Sequence, residues 1–433
     1  MREDWTECTL DEVCEVLDNL RKPINSNERN ERIKGKDISE LYPYYGATGQ
    51  VGYIDDYLTD GEYILLGEDA APFLDFTKDV AYKIIGKTWV NNHAHILKSH
   101  FNDDFLLHFL NQFQYRDYVT GTTRLKLTQG ALKRMPAKLA PLPIQRAIVS
   151  KIEALFSDLD NGIANLKKAQ EQLKIYRQAV LKKAFEGELT KVLFNDWDYS
   201  TLKESVKFSQ GIQVDVNLQS ENKSNNNVRF LRIIDFTQGI DPARYIENPG
   251  EKYIVSKDDV SLVRYGASTG FVCSNLEGAI ANNLFRIIPV KLIDKKYLYY
   301  FLCSPLFQNI ISQSVKGAAM PAISFGLIND VVLPFPKNIS DQVQIVQEIE
   351  SRLSVCDKVE QSISESLEKA EALRQSILKK AFEGKLLSQA EIEQCKQAAD
   401  YEPASELLKK IKAEKLAKEQ EQKKATTKKR SKK

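Results

Sequence analysis

Arg177–Leu189 reads RQAVLKKAFEGEL, and Arg374–Leu386 reads RQSILKKAFEGKL. A return this close, 197 residues further on, marks an internal duplication, and a duplication decides the architecture before any single element does. Working outward, the same spacing holds upstream. Gln145 aligns with Gln342, Ile148-Val149 with Ile345-Val346, and Ile152-Glu153 with Ile349-Glu350. Each of these stretches follows a Pro-x-Pro turn, Pro141-Leu142-Pro143 and Pro334-Phe335-Pro336, and proline marks a boundary because it cannot continue a strand ladder and restricts the residue before it. Further upstream the match is looser but keeps its order. Asp4-Trp5 with Thr9-Leu10 returns as Asp196-Trp197 with Thr201-Leu202, Tyr45-Gly46-Ala47 as Tyr265-Gly266-Ala267, and Asn91-Asn92 as Asn282-Asn283. A globular unit followed by a long helix is therefore expected twice.

The first helix places Ile152, Leu155, Leu159, Gly162, Leu166, Ala169, Leu173, Tyr176 and Val180 at alternating steps of three and four, the heptad pattern of a coiled-coil seam. The second places Ile349, Arg352, Cys356, Val359, Ile363, Ser366, Ala370, Leu373 and Ile377 there, a weaker seam because Arg352 and Ser366 fill apolar slots. Two such helices are expected to pair, and about 38 residues at 1.5 Å each would make a rod of roughly 57 Å between the globular units. Lysines in the last turn of each suit the negative end of the helix dipole, and Gly187 and Gly384 suit a left-handed stop. Phe185 and Phe382, at the same place in both ends, fit either core packing or a twice-repeated docking surface for two identical partners.

The chain has 433 residues and a net charge of +2, a length for two or three domains. Residues 401–433 carry 12 Lys/Arg against 5 Asp/Glu, which leaves the rest of the chain slightly acidic. Any contact of the folded body with a polyanion must therefore come from local basic patches. No apolar run approaches the ~20 residues of a membrane span and the N-terminus has no signal-peptide pattern, so a cytoplasmic protein is expected. The six cysteines include no Cys-x-x-Cys pair. His93-x-His95 could put two ligands on one side of a strand, but no third ligand follows at close spacing and the second copy has Leu284 and Arg286 there, so no metal is expected. There is no GxxxxGK[ST] phosphate loop, no dinucleotide fingerprint around Gly46, Gly49 and Gly52, and no Asn/Asp-Pro-Pro-Tyr segment of the adenine methyltransferase kind. A self-sufficient methyltransferase is accordingly disfavoured, and the chain reads as non-catalytic.

The helix ends, the Pro-x-Pro entry followed by Gln and an Ile-rich helix, and the phrases YYGATGQVGYID (Tyr44–Asp55) and VNNHAHIL (Val90–Leu97) resemble the specificity subunits of Type I restriction-modification enzymes. The resemblance runs from Trp5 to about Leu387. It implies an α+β chain with a pseudo-twofold internal repeat, in which two globular mixed α/β target-recognition domains are joined by two long helices pairing as an antiparallel coiled coil. The expected blocks are 1–143 and 191–336 for the recognition domains, 144–190 and 337–388 for the spacer helices, and 389–433 for a charged, partly helical tail whose basic end, Lys428–Lys433, is expected to be disordered. It further implies that each domain reads one half of a split double-stranded DNA site, that the helices set the gap, and that two methylation subunits dock on them and restriction (motor-nuclease) subunits join. S-adenosylmethionine, ATP and Mg would be bound by those partners and not here. The repeat and helices alone would equally suit a two-headed adaptor for protein partners; the phrases within the heads favour DNA.

Loops on a rigid scaffold carry recognition, and base edges are read by Arg, Lys, Asn and Gln with help from Ser, Thr and Tyr. The candidates in the first domain are Tyr44, Tyr45, Thr48 and Gln50 in the Gly-rich stretch and Arg116, Thr122, Thr123, Arg124 and Lys126 around Gly121. Those in the second are Tyr265, Ser268 and Thr269, then Lys316 and Met320 around Gly317, with Gln210, Gln213, Arg229 and Arg232 as weaker additions. The repeated asparagines are expected to be structural, since domains reading different sequences have no reason to share base contacts.

Overall fold

The computed structural model describes residues 2–190, 197–239, 241–315 and 321–430. The chain forms two compact units, Met1–Asn165 with Glu365–Lys433, and Leu166–Ser364. The boundary falls inside both long helices, so each unit owns the start of one helix and the end of the other.

The first unit runs β1 (Thr6–Thr9), α1 (Leu10–Val13), β2 (Cys14–Val16), α2 (Ser26–Ile33), β3 (Tyr42–Gly46), β4 (Gly49–Ile54), β5 (Thr59–Gly67), β6 (Ala81–Val90), β7 (Ala94–Ser99), α3 (Asp103–Gln112), β8 (Val119–Thr120), β9 (Lys126–Leu127), α4 (Gln129–Lys133), β10 (Pro136–Leu139) and the start of α5 (Leu142–Phe185). Its main sheet has the order β2-β7-β5-β6-β3-β4, antiparallel except for the β3/β6 pair. Ile64-Leu65-Leu66 on β5 is buried on both faces of this sheet, which is why it reads as an unbroken apolar run and not as an alternation. A separate two-stranded ribbon, β1 with β10, joins the domain to α5.

In the second unit, β11 (Trp197–Thr201), α6 (Leu202–Ser205), β12 (Val206–Gln210), β13 (Asn227–Leu231), α7 (Ile233–Thr237), β14 (Arg244–Glu247), β15 (Ile254–Val255), β16 (Val260–Val263), β17 (Val272–Cys273), β18 (Gly278–Ile280), β19 (Leu284–Pro289), α8 (Lys295–Cys303), α9 (Pro305–Val315), α10 (Phe325–Asn329) and β20 (Val332–Pro336) lead into α11 (Ile339–Phe382). The ribbon recurs as β11 with β20, but the strands between divide into two four-stranded sheets, β12-β19-β16-β17 and β14-β13-β18-β15. The duplication thus keeps the frame and lets the sheets diverge.

The repeated residues hold that frame. Thr9 and Glu12 cap α1 reciprocally, and Thr201 and Glu204 do the same for α6. Gln145 is fully buried at the start of α5, where its Oε1 accepts from Asn102 N at 3.1 Å and its Nε2 donates to Ala140 O at 2.6 Å. Gln342 repeats this in the second unit, accepting from Asp294 N at 2.8 Å and donating to Pro336 O at 2.8 Å. In both units the glutamine ties a long helix to the N-cap of α3 or α8, because Asn102 and Asp294 are those caps.

Helices α5 and α11 are each 44 residues long and pair antiparallel. In the first unit Arg374 pairs with Asp160 and lies 4.4 Å over the Phe156 ring. In the second, Arg177 reaches Asp357 at 2.7 Å and Glu360 at 2.8 Å. Only one row of the α11 heptad is buried, Ile349, Cys356, Ile363, Ala370 and Ile377, spaced every seven residues. Arg352 and Ser366 belong to the other row, where Val359 is 40% and Leu373 50% exposed, so the polar residues do not sit in the buried seam.

At both helix ends the chain turns through a glycine with positive φ, 75° at Gly187 and 74° at Gly384. Past Gly384, α12 (Gln389–Lys396) and α13 (Ala404–Arg430) fold back onto the first unit and bury Ile392, Ala404, Leu407 and Ile411 in its core. Lys412 pairs with Glu12 at 2.6 Å and Lys418 with Glu15 at 3.2 Å. α13 runs as helix to Arg430, into the basic end expected to be disordered. Residues 431–433 lie outside the described residues.

Candidate nucleic-acid interface

The first domain brings three of the expected segments together. The β3–β4 turn carries Thr48 and Gln50, both exposed, while Ala47 O lies 2.9 Å from where a Cβ on Gly67 would sit, so this turn rests on the end of β5. The loop after β5 is joined in turn to the β8–β9 hairpin: Ala70 N donates to Leu125 O at 2.9 Å and Leu127 N to Glu68 O at 2.7 Å. Gly121 makes the hairpin possible, because a side chain there would place its Cβ 2.4 Å from Arg124 O and its φ is 98°. Thr122, Thr123, Arg124 and Lys126 are exposed around it, and Arg116 is exposed in the turn that leads into β8. Arg124 Nε donates to Asp69 Oδ1 at 2.6 Å, and Lys126 Nζ lies 3.3 Å from Glu68 Oε1.

One aromatic candidate, Tyr44, is corrected. Tyr44 is buried and the Arg29 guanidinium covers its ring at 4.7 Å, since successive strand residues face opposite ways and Tyr44 takes the inward side. Tyr45 is half-buried and stacks on Tyr82 at 5.8 Å. His93 and His95 do not share a site. His93 faces Asp69 at 3.4 Å, whereas His95 is fully buried, with Nδ1 2.8 Å from Asp18 Oδ2 and Nε2 2.9 Å from Leu127 O. Asp18 and Glu68 converge on His95, but the Arg21 guanidinium already lies between these carboxylates, paired with both. Burial pushes the Asp18 carboxyl upward; the His95 hydrogen bond and the charges of His95 and Arg21 outweigh it and hold the group below the usual carboxylate range.

In the second domain Tyr265 forms a bridge with Ala322, and its hydroxyl donates to Asn282 Oδ1 at 3.3 Å. Ser268 and Thr269 are half-buried, and Thr269 Oγ1 donates within the turn to Gly266 O at 2.6 Å, with Pro321 O 3.0 Å away. Lys316 and Met320 lie outside the described residues. Gln210 donates to Asn282 O at 3.1 Å, and Gln213 is exposed. Arg229 and Arg232 are gripped by the buried Asp235 at 3.5 and 3.0 Å. Together with Arg244, which the sequence reading missed, Gln213, Arg232 and Asn282 line a cavity of about 350 Å³. In the first repeat Asn91 is a buried turn-former, its Oδ1 accepting from His93 N at 2.8 Å.

The missed residues are chiefly the acids. Asp69, Glu68 and Asp235 carry no motif and lie far along the chain or in unremarkable loops. The Lys22, Arg29 and Arg32 set, stacked on Trp89 and Tyr44, was visible as basic residues just before α2 and along it.

The repeated Phe185 and Phe382, the candidate docking residues, are both built into domain cores. Phe382 packs in the first unit against Phe105 at 5.0 Å and Phe109 at 5.5 Å. Phe185 packs in the second against Tyr297 at 5.1 Å and Phe301 at 5.5 Å. Both rings are buried because each helix end completes a domain core.

A duplicated α+β domain, each copy followed by one of two antiparallel helices, is the class of fold that the structure defines. Residues 2–173 and 195–369 both match the Type I restriction modification DNA specificity domain, and the chain belongs to that family, with two DNA specificity domains. It is 25% identical to the EcoBI specificity subunit of Escherichia coli, over 96% of this chain and 94% of that one. It is 28% identical to a Haemophilus influenzae protein described as a putative type I restriction enzyme specificity subunit, S.HindORF215P, over 67% of this chain and 74% of that one. Among solved structures, the HsdS subunit of Thermoanaerobacter tengcongensis superposes with a TM-score of 0.57 at 19% identity, covering 89% of this chain and 98% of that one. A chain from a study of assembly and conformational transition in a type I R-M system gives 0.67 at 16%, covering 89% and 99%. These structural likenesses speak for the fold. Among the described residues no helix is long and apolar enough to cross a membrane.

Proposed function

We propose that each specificity domain reads one half of a bipartite site in double-stranded DNA, with the antiparallel helices setting the unread gap between the halves. The observation that carries this reading is the match of two DNA specificity domains in one chain, with sheets and loops that differ between them while the helix ends repeat almost residue for residue. In this reading the chain is non-catalytic and works in the cytoplasm. Two methylation subunits dock on it and restriction subunits join, and S-adenosylmethionine, ATP and Mg are bound by those partners.

Docking in two copies is supported by a pair of similar grooves beside the repeated helix ends. One, of about 680 Å³, lies between Phe109, Phe113, Phe382 and the outer face of the β1–β10 ribbon. The other, of about 660 Å³, lies between Phe185, Ile310 and the outer face of the β11–β20 ribbon. The test is to express the chain with a methylation partner and map modified adenines across the genome. A split motif with a fixed gap is expected; methylation without a motif, or none, overturns the reading.

A further inference from the structure

The loop after β5 contains a backbone strain between β5 and the core residues Ala71 and Phe73. Ala70 has a φ of 58°, the left-handed region that a residue with a Cβ seldom takes, and such outliers persist only where their surroundings hold them. Here the holding is done by Ala70 N to Leu125 O at 2.9 Å, Leu127 N to Glu68 O at 2.7 Å and Glu68 N to His93 O at 2.7 Å. The effect is to place Asp69 in bridge register with Lys126, beside the tip of the β8–β9 hairpin.

From that position Asp69 Oδ1 accepts from Arg124 Nε at 2.6 Å, while Oδ2 faces His93 Nδ1 at 3.4 Å. An arginine has five N–H donors in a rigid fork, and only the inner one is spent here. Nη1 and Nη2 have no protein partner among the described residues, and the side chain is 60% exposed. Two parallel donors at the end of a braced side chain match the O6 and N7 acceptors of guanine in the major groove. A phosphate is the poorer ligand, because Asp69 and Glu68 stand beside the cation and would repel a second anion, whereas a base edge is neutral. Lys126 is likewise partnered by Glu68, at 3.3 Å.

We infer that Arg124 reads a guanine in the half-site of the first domain and that Asp69 is the positioning residue that holds its fork for bidentate contact. This rests on the proposed half-site reading.

The test uses the full chain with its methylation partner and the motif mapped for the unaltered protein. Arg124→Ala and Asp69→Asn should each relax one G·C position in one half of the motif by about tenfold and leave the other half unchanged. Adding Asp69→Asn to Arg124→Ala should produce no further loss, because Asp69 acts through Arg124. Arg124→Lys keeps the charge on an exposed side chain but lacks the fork, and should relax the same position even if the Asp69 variants fold poorly. The slope of log affinity against log salt should not change. A drop in that slope by about one would make Arg124 a phosphate contact and overturn the assignment. So would an intact guanine preference in Arg124→Lys, or additive losses in the double variant. Absence of any motif for the unaltered protein would instead remove the half-site reading on which the inference rests.

Discussion

At Phe382 and Phe185 a single ring closes a core contributed mostly by a different part of the chain. Removing a buried phenylalanine leaves a cavity that the surroundings only partly fill, and costs about 3–5 kcal/mol. Phe382→Ala is expected to destabilise the first unit by that amount and Phe185→Ala the second, read as a lowered unfolding midpoint in denaturant. A change of less than about 1 kcal/mol in either would mean that the ring is not part of the core. Asp18 supplies a second test at this scale. Its folded-state pKa is depressed, so its contribution is present above the unfolded carboxyl's ordinary value, near about 4, and is lost as pH falls through the lower folded value. Asp18→Asn should therefore lower stability near neutrality and flatten the acid limb of the midpoint-against-pH curve. An acid limb as steep as before would assign the pH dependence to other carboxylates.

For the helices, the decisive distinction is between the two heptad rows of α11. Ile363 is 4% exposed and Leu373 is 50% exposed, although both are apolar and both fall in the three-four pattern. Ile363→Ala should cost about 2–4 kcal/mol and Leu373→Ala under about 1, measured by thermal unfolding followed through helical circular dichroism. Equal losses would show that both rows are packed. The ion pairs flanking the seam, Arg177 with Asp357 and Glu360, are exposed on the acidic side and add little, about 0–1 kcal/mol each. The tail illustrates the same point about faces. Its alternating Lys and Glu hid a short apolar stripe, Leu407 and Ile411, which is enough to seat α13 on the first unit.

For the whole molecule, the duplication, the two long helices, their glycine stops and the α+β character were legible from residues close together in sequence. Periodicity, capping and helix termination are local physics, and near-identical repeats expose them twice. The exposure of Thr48, Gln50 and the Arg124 hairpin was legible too, since glycine-led loops carrying polar side chains are a local signal of surface. Tyr44 was misplaced because a bulge between Tyr44 and Tyr45 and the choice of inward face depend on how β3 pairs with its neighbours. The sequence by itself determined that two related domains and two related helices occur and where each helix ends. Only the tertiary structure decided that each repeated helix end closes a domain core, and that Asp69, 55 residues away in sequence, meets Arg124. Contacts across such separations are set by strand register and packing, which no short stretch of residues encodes alone.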